Sequence, residues 1–81
     1  MRIKLLFFGK IKDIFGCDSL WVKVPQNARA VDVVRMLSQE PRAAVLSELP
    51  LVYAVNEHYE PDVAPLREDD ELALMTPMSG G

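Results

Sequence analysis

Cysteine, histidine and glycine are scarce in this sequence, and each shortage excludes a class of function. Among 81 residues there is one cysteine, Cys17, so no internal disulfide can form and nothing points to an oxidising compartment. Cys17 reads as a small apolar or half-exposed side chain. The single histidine, His58, has no second histidine or cysteine at ligand spacing, so no metal site is expected and His58 reads as an exposed turn residue. Gly-rich phosphate loops, Cys-x-x-Cys pairs and Ser-His-Asp sets are all missing. The 9 basic residues are scattered from Arg2 to Arg67, and with a net charge of -3 they make no nucleic-acid surface. The apolar run Leu5 to Phe8 is interrupted by Lys10 and Lys12 before it reaches the length of a secretory signal or membrane span, so a cytoplasmic chain without a membrane contact is expected.

What is present describes one compact domain, with 49% hydrophobic and 26% charged residues. Ile3, Leu5 and Phe7 alternate with Arg2, Lys4 and Leu6 as a strand whose odd positions face a core, leaving Leu6 and Phe8 on the other face. Ile11, Ile14 and Phe15 then fall at helical spacing, and Gly16 suits the C-terminal cap. Leu20, Val22 and Val24 form a second strand in which Trp21 is expected to be half-buried, ended by the turn residues Pro25-Gln26-Asn27. Ala30, Val33, Val34 and Leu37 mark the main core helix, with Pro41 as its stop and a short helical piece expected from Ala43 to Leu49 with Pro41 at its first position. Leu51 to Val55 is a continuous apolar run, expected to be an interior strand covered on both faces, followed by a hairpin turn over Asn56 to Tyr59. Leu66 offers an apolar anchor. The acids Glu68-Asp69-Asp70-Glu71 read as a solvated turn, because adjacent carboxylates in a turn cannot converge on one point unaided. Leu72 and Leu74 alternate with Ala73 and Met75 in the last strand. The order predicts an α+β, β-grasp arrangement: a mixed sheet packed on one main helix, with the first and last strands central and parallel.

The end of the sequence carries the strongest chemical signal. Of four glycines, two are Gly80 and Gly81, a coincidence expected about 0.5% of the time at average composition. A main-chain carboxylate that attacks the α-phosphate of ATP becomes an acyl-adenylate, which a sulfur or nitrogen nucleophile can displace. Glycines suit that step, since no Cβ obstructs a narrow channel. Pro77 and the residue before it favour extended backbone, so Thr76 to Gly81 could reach about 20 Å at ~3.3 Å per residue. Residues 1–75 are therefore expected to be the domain, and residues 76–81 an extended tail.

Lys4-Leu5-Leu6-Phe7-Phe8-Gly9-Lys10-Ile11-Lys12-Asp13, Tyr53-Ala54-Val55-Asn56, Pro65-Leu66 through Asp70-Glu71-Leu72, and Pro77-Met78-Ser79-Gly80-Gly81 together resemble the small, sulfur-carrier subunits of molybdopterin synthases, a ubiquitin-like family. The resemblance implies that Gly81 is adenylated by an ATP-using, ubiquitin-activating-like adenylyltransferase and converted to a thiocarboxylate. It implies that the large synthase subunit then receives the tail Pro77, Met78, Ser79, Gly80 and Gly81, and that sulfur passes to cyclic pyranopterin monophosphate to build the dithiolene. No cofactor bound by the chain itself is implied, and the expected assembly is a heterotetramer of two small and two large subunits. By the same analogy Phe8, Met75, Met78 and Tyr59 are candidate contacts with the large subunit. Asp69 departs from the family's glycine, Ala30 from its threonine helix cap, a loss of about 1 kcal/mol unless Asn27 caps instead, and Thr76 from one of its prolines. Thiamine-pathway and tRNA-thiolation carriers share the Gly-Gly ending, but the helical insert from Lys10 to Phe15 favours the molybdopterin class. The contrasting class is a β-grasp interaction module with inert glycines.

Overall fold

The computed structural model describes residues 1–77. Its elements are β1 (Arg2–Phe7), α1 (Gly9–Phe15), β2 (Ser19–Lys23), α2 (Ala30–Leu37), a 3-10 helix (Pro41–Glu48), β3 (Val52–Val55), β4 (His58–Glu60) and β5 (Glu71–Met75). The five strands form one sheet in the order β2-β1-β5-β3-β4. β1 and β5 lie side by side and parallel at its centre, and the other pairings are antiparallel. This is the β-grasp expected from the order of elements.

The alternation in β1 and β5 decides where the core sits. Register pairs Leu5 with Leu72 and Phe7 with Leu74, so these side chains share one face with Ile3. Ile3, Leu5, Leu72 and Leu74 are fully buried under α2, α1 and the 3-10 helix. From α2 the residues Ala30, Val33, Val34 and Leu37 meet them, all at the helical spacing the sequence predicts. Phe15 of α1 stacks on Phe7 with ring centroids 4.3 Å apart, and Leu66 fills the expected anchor position. Gly16 ends α1 in the left-handed region at φ 71°, and its N–H is donated to the Lys12 carbonyl at 2.8 Å.

Several expectations are corrected. Asn27 does not cap α2: it occupies a turn at φ 66°, and Arg29 is the N-cap. There the Asp32 carboxylate accepts the Arg29 backbone N–H at 2.9 Å, supplying from the third helical position what the cap residue lacks. α2 stops at Leu37, ahead of Pro41, and Pro41 opens the short helical piece as expected, here a 3-10 helix that ends at Glu48. β3 is interior in sheet order but covered on one face only. Tyr53 and Val55, in register with Leu74 and Leu72, pack partly buried against the helix-covered core, whereas Val52 and Ala54 lie on the opposite face, where no helix sits. The acidic run is an exposed turn at Glu68 and Asp69, as expected, and it is held by specific partners. Glu68 accepts the Arg2 N–H at 2.6 Å, Asp70 accepts the Arg67 N–H at 2.8 Å and the Asn56 side-chain amide at 2.9 Å, and Asp69 pairs with Arg2 at 3.2 Å. Asp69 stands at φ 66°, the left-handed geometry that the family's glycine would favour.

Candidate functional site

The face of the sheet turned away from the helices carries the candidate site. On it β5 contributes Ala73 and Met75, β1 contributes Leu6, β3 contributes Val52 and Ala54, and β4 contributes Tyr59. Register sets Ala73 between Leu6 on one side and Ala54 on the other. Two alanines in adjacent strands make a low floor, and larger side chains stand around it. The result is an open groove of about 250 Å³ lined by Leu6, Phe8, Ala54, Glu57, Tyr59, Glu71, Ala73 and Met75.

Local backbone geometry places each rim residue. Phe8 follows β1 in extended conformation, φ -130° and ψ 152°, which carries the strand alternation one residue further and turns its ring outward. It is 49% exposed, so it does not tuck under α1. Tyr59 is presented by the two-residue turn between β3 and β4, in which Asn56 and Glu57 both have positive φ, 50° and 71°. That is the pattern of a type I′ hairpin turn. Asn56 is pinned further, since its side-chain oxygen accepts the Glu71 N–H at 3.0 Å. Tyr59 is 77% exposed and Phe8 and Met75 flank the same groove, so three of the four candidate contacts are brought together. Met78 lies outside the described residues.

The groove is lined mainly by apolar side chains, with Glu57 and Glu71 among them. No nucleophile converges with a base on it, and among the described residues no three His, Cys, Asp or Glu side chains come together as metal ligands. His58 is exposed on β4, its Nδ1 3.0 Å from the Asn56 carbonyl, and Cys17 is partly buried against the core. The shifted titrations are elsewhere. The Arg29 side chain and backbone N–H hold Asp32 below the ordinary carboxylate range. Asp18 raises Lys12 through a 2.7 Å ion pair, and burial, with Asp62 adding to it, pushes the Tyr53 phenol up.

Sequence reasoning found the rim and missed the floor. Ala54 and Ala73 are each 8% exposed on a face with no helix, and nothing in either strand alone shows that they adjoin. β5 leaves the centre of the sheet at Met75, beside this groove, and continues as Thr76 and the exposed Pro77. Ser79, Gly80 and Gly81 lie outside the described residues with Met78. No helix is long and apolar enough to cross a membrane among the described residues.

The profile of the ThiS family matches residues 5–81. Two curated relatives are molybdopterin synthase sulfur carrier subunits. The one from Dictyostelium discoideum is 31% identical over 99% of this chain and 96% of its own. The one from Escherichia coli is 33% identical over 98% and 99%. Among solved structures, a chain from the protein-protein complex of subunits 1 and 2 of the Helicobacter pylori molybdopterin-converting factor aligns with a TM-score of 0.71 at 22% identity, covering 100% of both chains.

Proposed function

The chain belongs to the ThiS family, and from that membership we propose that it is the sulfur carrier subunit of a molybdopterin synthase. The observation that carries this reading is its relation over nearly the full length, at 31% and 33% identity, to carriers of that name. The family match runs through Gly81, the residue whose carboxylate the chemistry requires.

In this mechanism a ubiquitin-activating-like adenylyltransferase uses ATP on Gly81, and the carboxylate displaces pyrophosphate from the α-phosphate. The terminal sulfur of a persulfide donor then displaces AMP to give an acyl disulfide, and a thiol of the donor machinery reduces its S–S bond, releasing the thiocarboxylate and ending as a disulfide with the donor sulfur. The large subunit receives the tail from Pro77 to Gly81, and the sulfur is transferred to cyclic pyranopterin monophosphate. The domain's part is delivery. Its groove, rimmed by Phe8, Met75 and Tyr59, docks on the large subunit beside the tail's exit, and Met78 adds a contact within the tail. Apolar anchors of this kind carry most of an interface's energy. The same reading places the chain in the cytoplasm, in a heterotetramer of two small and two large subunits. A thiamine-pathway or tRNA-thiolation carrier is the second reading, and α1, inserted between β1 and β2, speaks for the molybdopterin class.

Co-expression with the activating enzyme and a sulfur donor, followed by intact mass, tests the proposal. A carrier gains sulfur in place of one oxygen at its end, whereas an inert interaction module gains nothing. One residue added after Gly81 should abolish sulfur transfer and leave folding unchanged. Survival of cofactor synthesis in that extended chain would overturn the terminal-carboxylate mechanism.

A further inference from the structure

The β2 edge of the sheet holds a second surface, separate from the groove. In an antiparallel pair, alternate residues exchange both backbone hydrogen bonds. Met1 and Val24 are such a pair, with N–H to carbonyl distances of 2.7 and 2.8 Å, and the register continues through Ile3 with Val22 and Leu5 with Leu20. The intervening residues Ser19, Trp21 and Lys23 therefore turn their N–H and C=O groups away from β1. β2 ends the sheet order, and these three make no turn or loop backbone bond among the described residues.

The side chains along this edge are sorted by face. With Trp21 and Lys23, the outer face carries Arg2 and Lys4, their register partners. Trp21 is 48% exposed, and the Arg2 guanidinium, held by Asp69, lies 4.5 Å over its ring. Lys4 and Lys23 make no ion pair among the described residues. The inner face of the same edge leaves Leu20 39% exposed beside the half-buried Val22. Lysine on an edge strand is a common guard against aggregation, but a guard does not need an open tryptophan and leucine between its charges.

We propose that this edge receives an extended segment of a partner protein as an added strand, one in which acidic residues alternate with aliphatic ones. The acids lie over Lys4, Lys23 and the Arg2-Trp21 stack, and the aliphatic side chains lie against Leu20 and Val22. Main-chain pairing supplies affinity and the alternation supplies specificity. The interaction does not depend on sulfur transfer, and its test requires no activation of the chain's end.

The test titrates the isotopically labelled full chain with a short synthetic peptide of alternating glutamate and valine, beside a peptide of equal composition with its acids and aliphatics in separate blocks. The alternating peptide should shift the Trp21 and Lys23 amides and protect them from hydrogen exchange. N-methylation of peptide residues of one parity should abolish binding, and of the other parity should leave it. The double change Lys4→Glu with Lys23→Glu should weaken binding about tenfold and keep the unfolding midpoint. Absence of binding, equal binding of the block peptide, or shifts centred on Phe8, Tyr59 and Met75 would overturn the proposal. So would equally tight binding of a single-stranded oligonucleotide, or protection of the same amides by self-association alone.

Discussion

Side chains of the central strands alternate between two faces with a period of two, and the chain covers only one of those faces with helices. On the inner face Ile3, Leu5, Leu72 and Leu74 reach 0% exposure beneath α2 and the 3-10 helix. On the outer face Ala54 and Ala73 form a floor while Phe8 and Tyr59 stay 49% and 77% exposed. The inner face holds the fold together, and the outer face is the one that, under the proposed function, meets another chain. Substitutions on the two faces should therefore fail in different assays.

The largest effect is expected on the inner side. Leu5→Ala or Leu72→Ala leaves a cavity between fully buried neighbours and should lower unfolding free energy by about 2–5 kcal/mol, read by urea denaturation. For a domain of this size, that is a large share of its total stability. Phe8→Ala or Tyr59→Ala should cost no more than about 0.5 kcal/mol of stability, since neither ring is buried. The same changes should weaken binding to the large subunit by about 1–2 kcal/mol, measured by calorimetry on the purified pair. If Phe8→Ala unfolded the chain and spared binding, the division between the faces would be wrong.

That division was half legible in the sequence. Parity along β1 and β5 reveals which side chains face inward, because the period of two is local. The spacing of Ala30, Val33, Val34 and Leu37 reveals the helix that covers them. The groove's floor was not legible, because Ala54 meets Ala73 only through the register of β3 on β5, a pairing between residues far apart in the chain. For the same reason the apolar run at Leu51 to Val55 suggested cover on both faces. Local composition records that a strand is apolar; which faces receive a helix depends on tertiary arrangement. The α2 cap was missed for a different reason. Residue type at the cap position suggested Asn27, whereas the bond comes from Asp32 three residues after Arg29.

A smaller and opposite effect is expected at the groove's rim. Glu57 holds φ 71° in the turn that presents Tyr59, a geometry that costs a residue with a Cβ roughly 1–2 kcal/mol. Glycine removes that cost and adds some unfolded-state entropy, so Glu57→Gly should stabilise the chain by about 0.5 kcal/mol. Thermal unfolding would detect the gain, and unchanged affinity for the large subunit would show that Tyr59 keeps its place.

The smallest effect lies on the covered side, at the start of α2, and appears only in acid. In the folded chain Asp32 is held below its ordinary value of 3.8, first by the Arg29 side chain, then by the Arg29 backbone N–H, with Arg35 adding a weaker attraction. The unfolded chain therefore binds this proton more tightly than the folded one. The carboxylate's contribution is complete above about pH 3.8 and fades as pH falls through the lower folded value. The side chain is exposed, so the contribution is small and screened by salt. Urea midpoints of the parent and of Asp32→Asn should differ at neutral pH and converge in acid. A gap that stayed constant to the lowest pH would mean that the charge of Asp32 contributes nothing to holding α2 over the core.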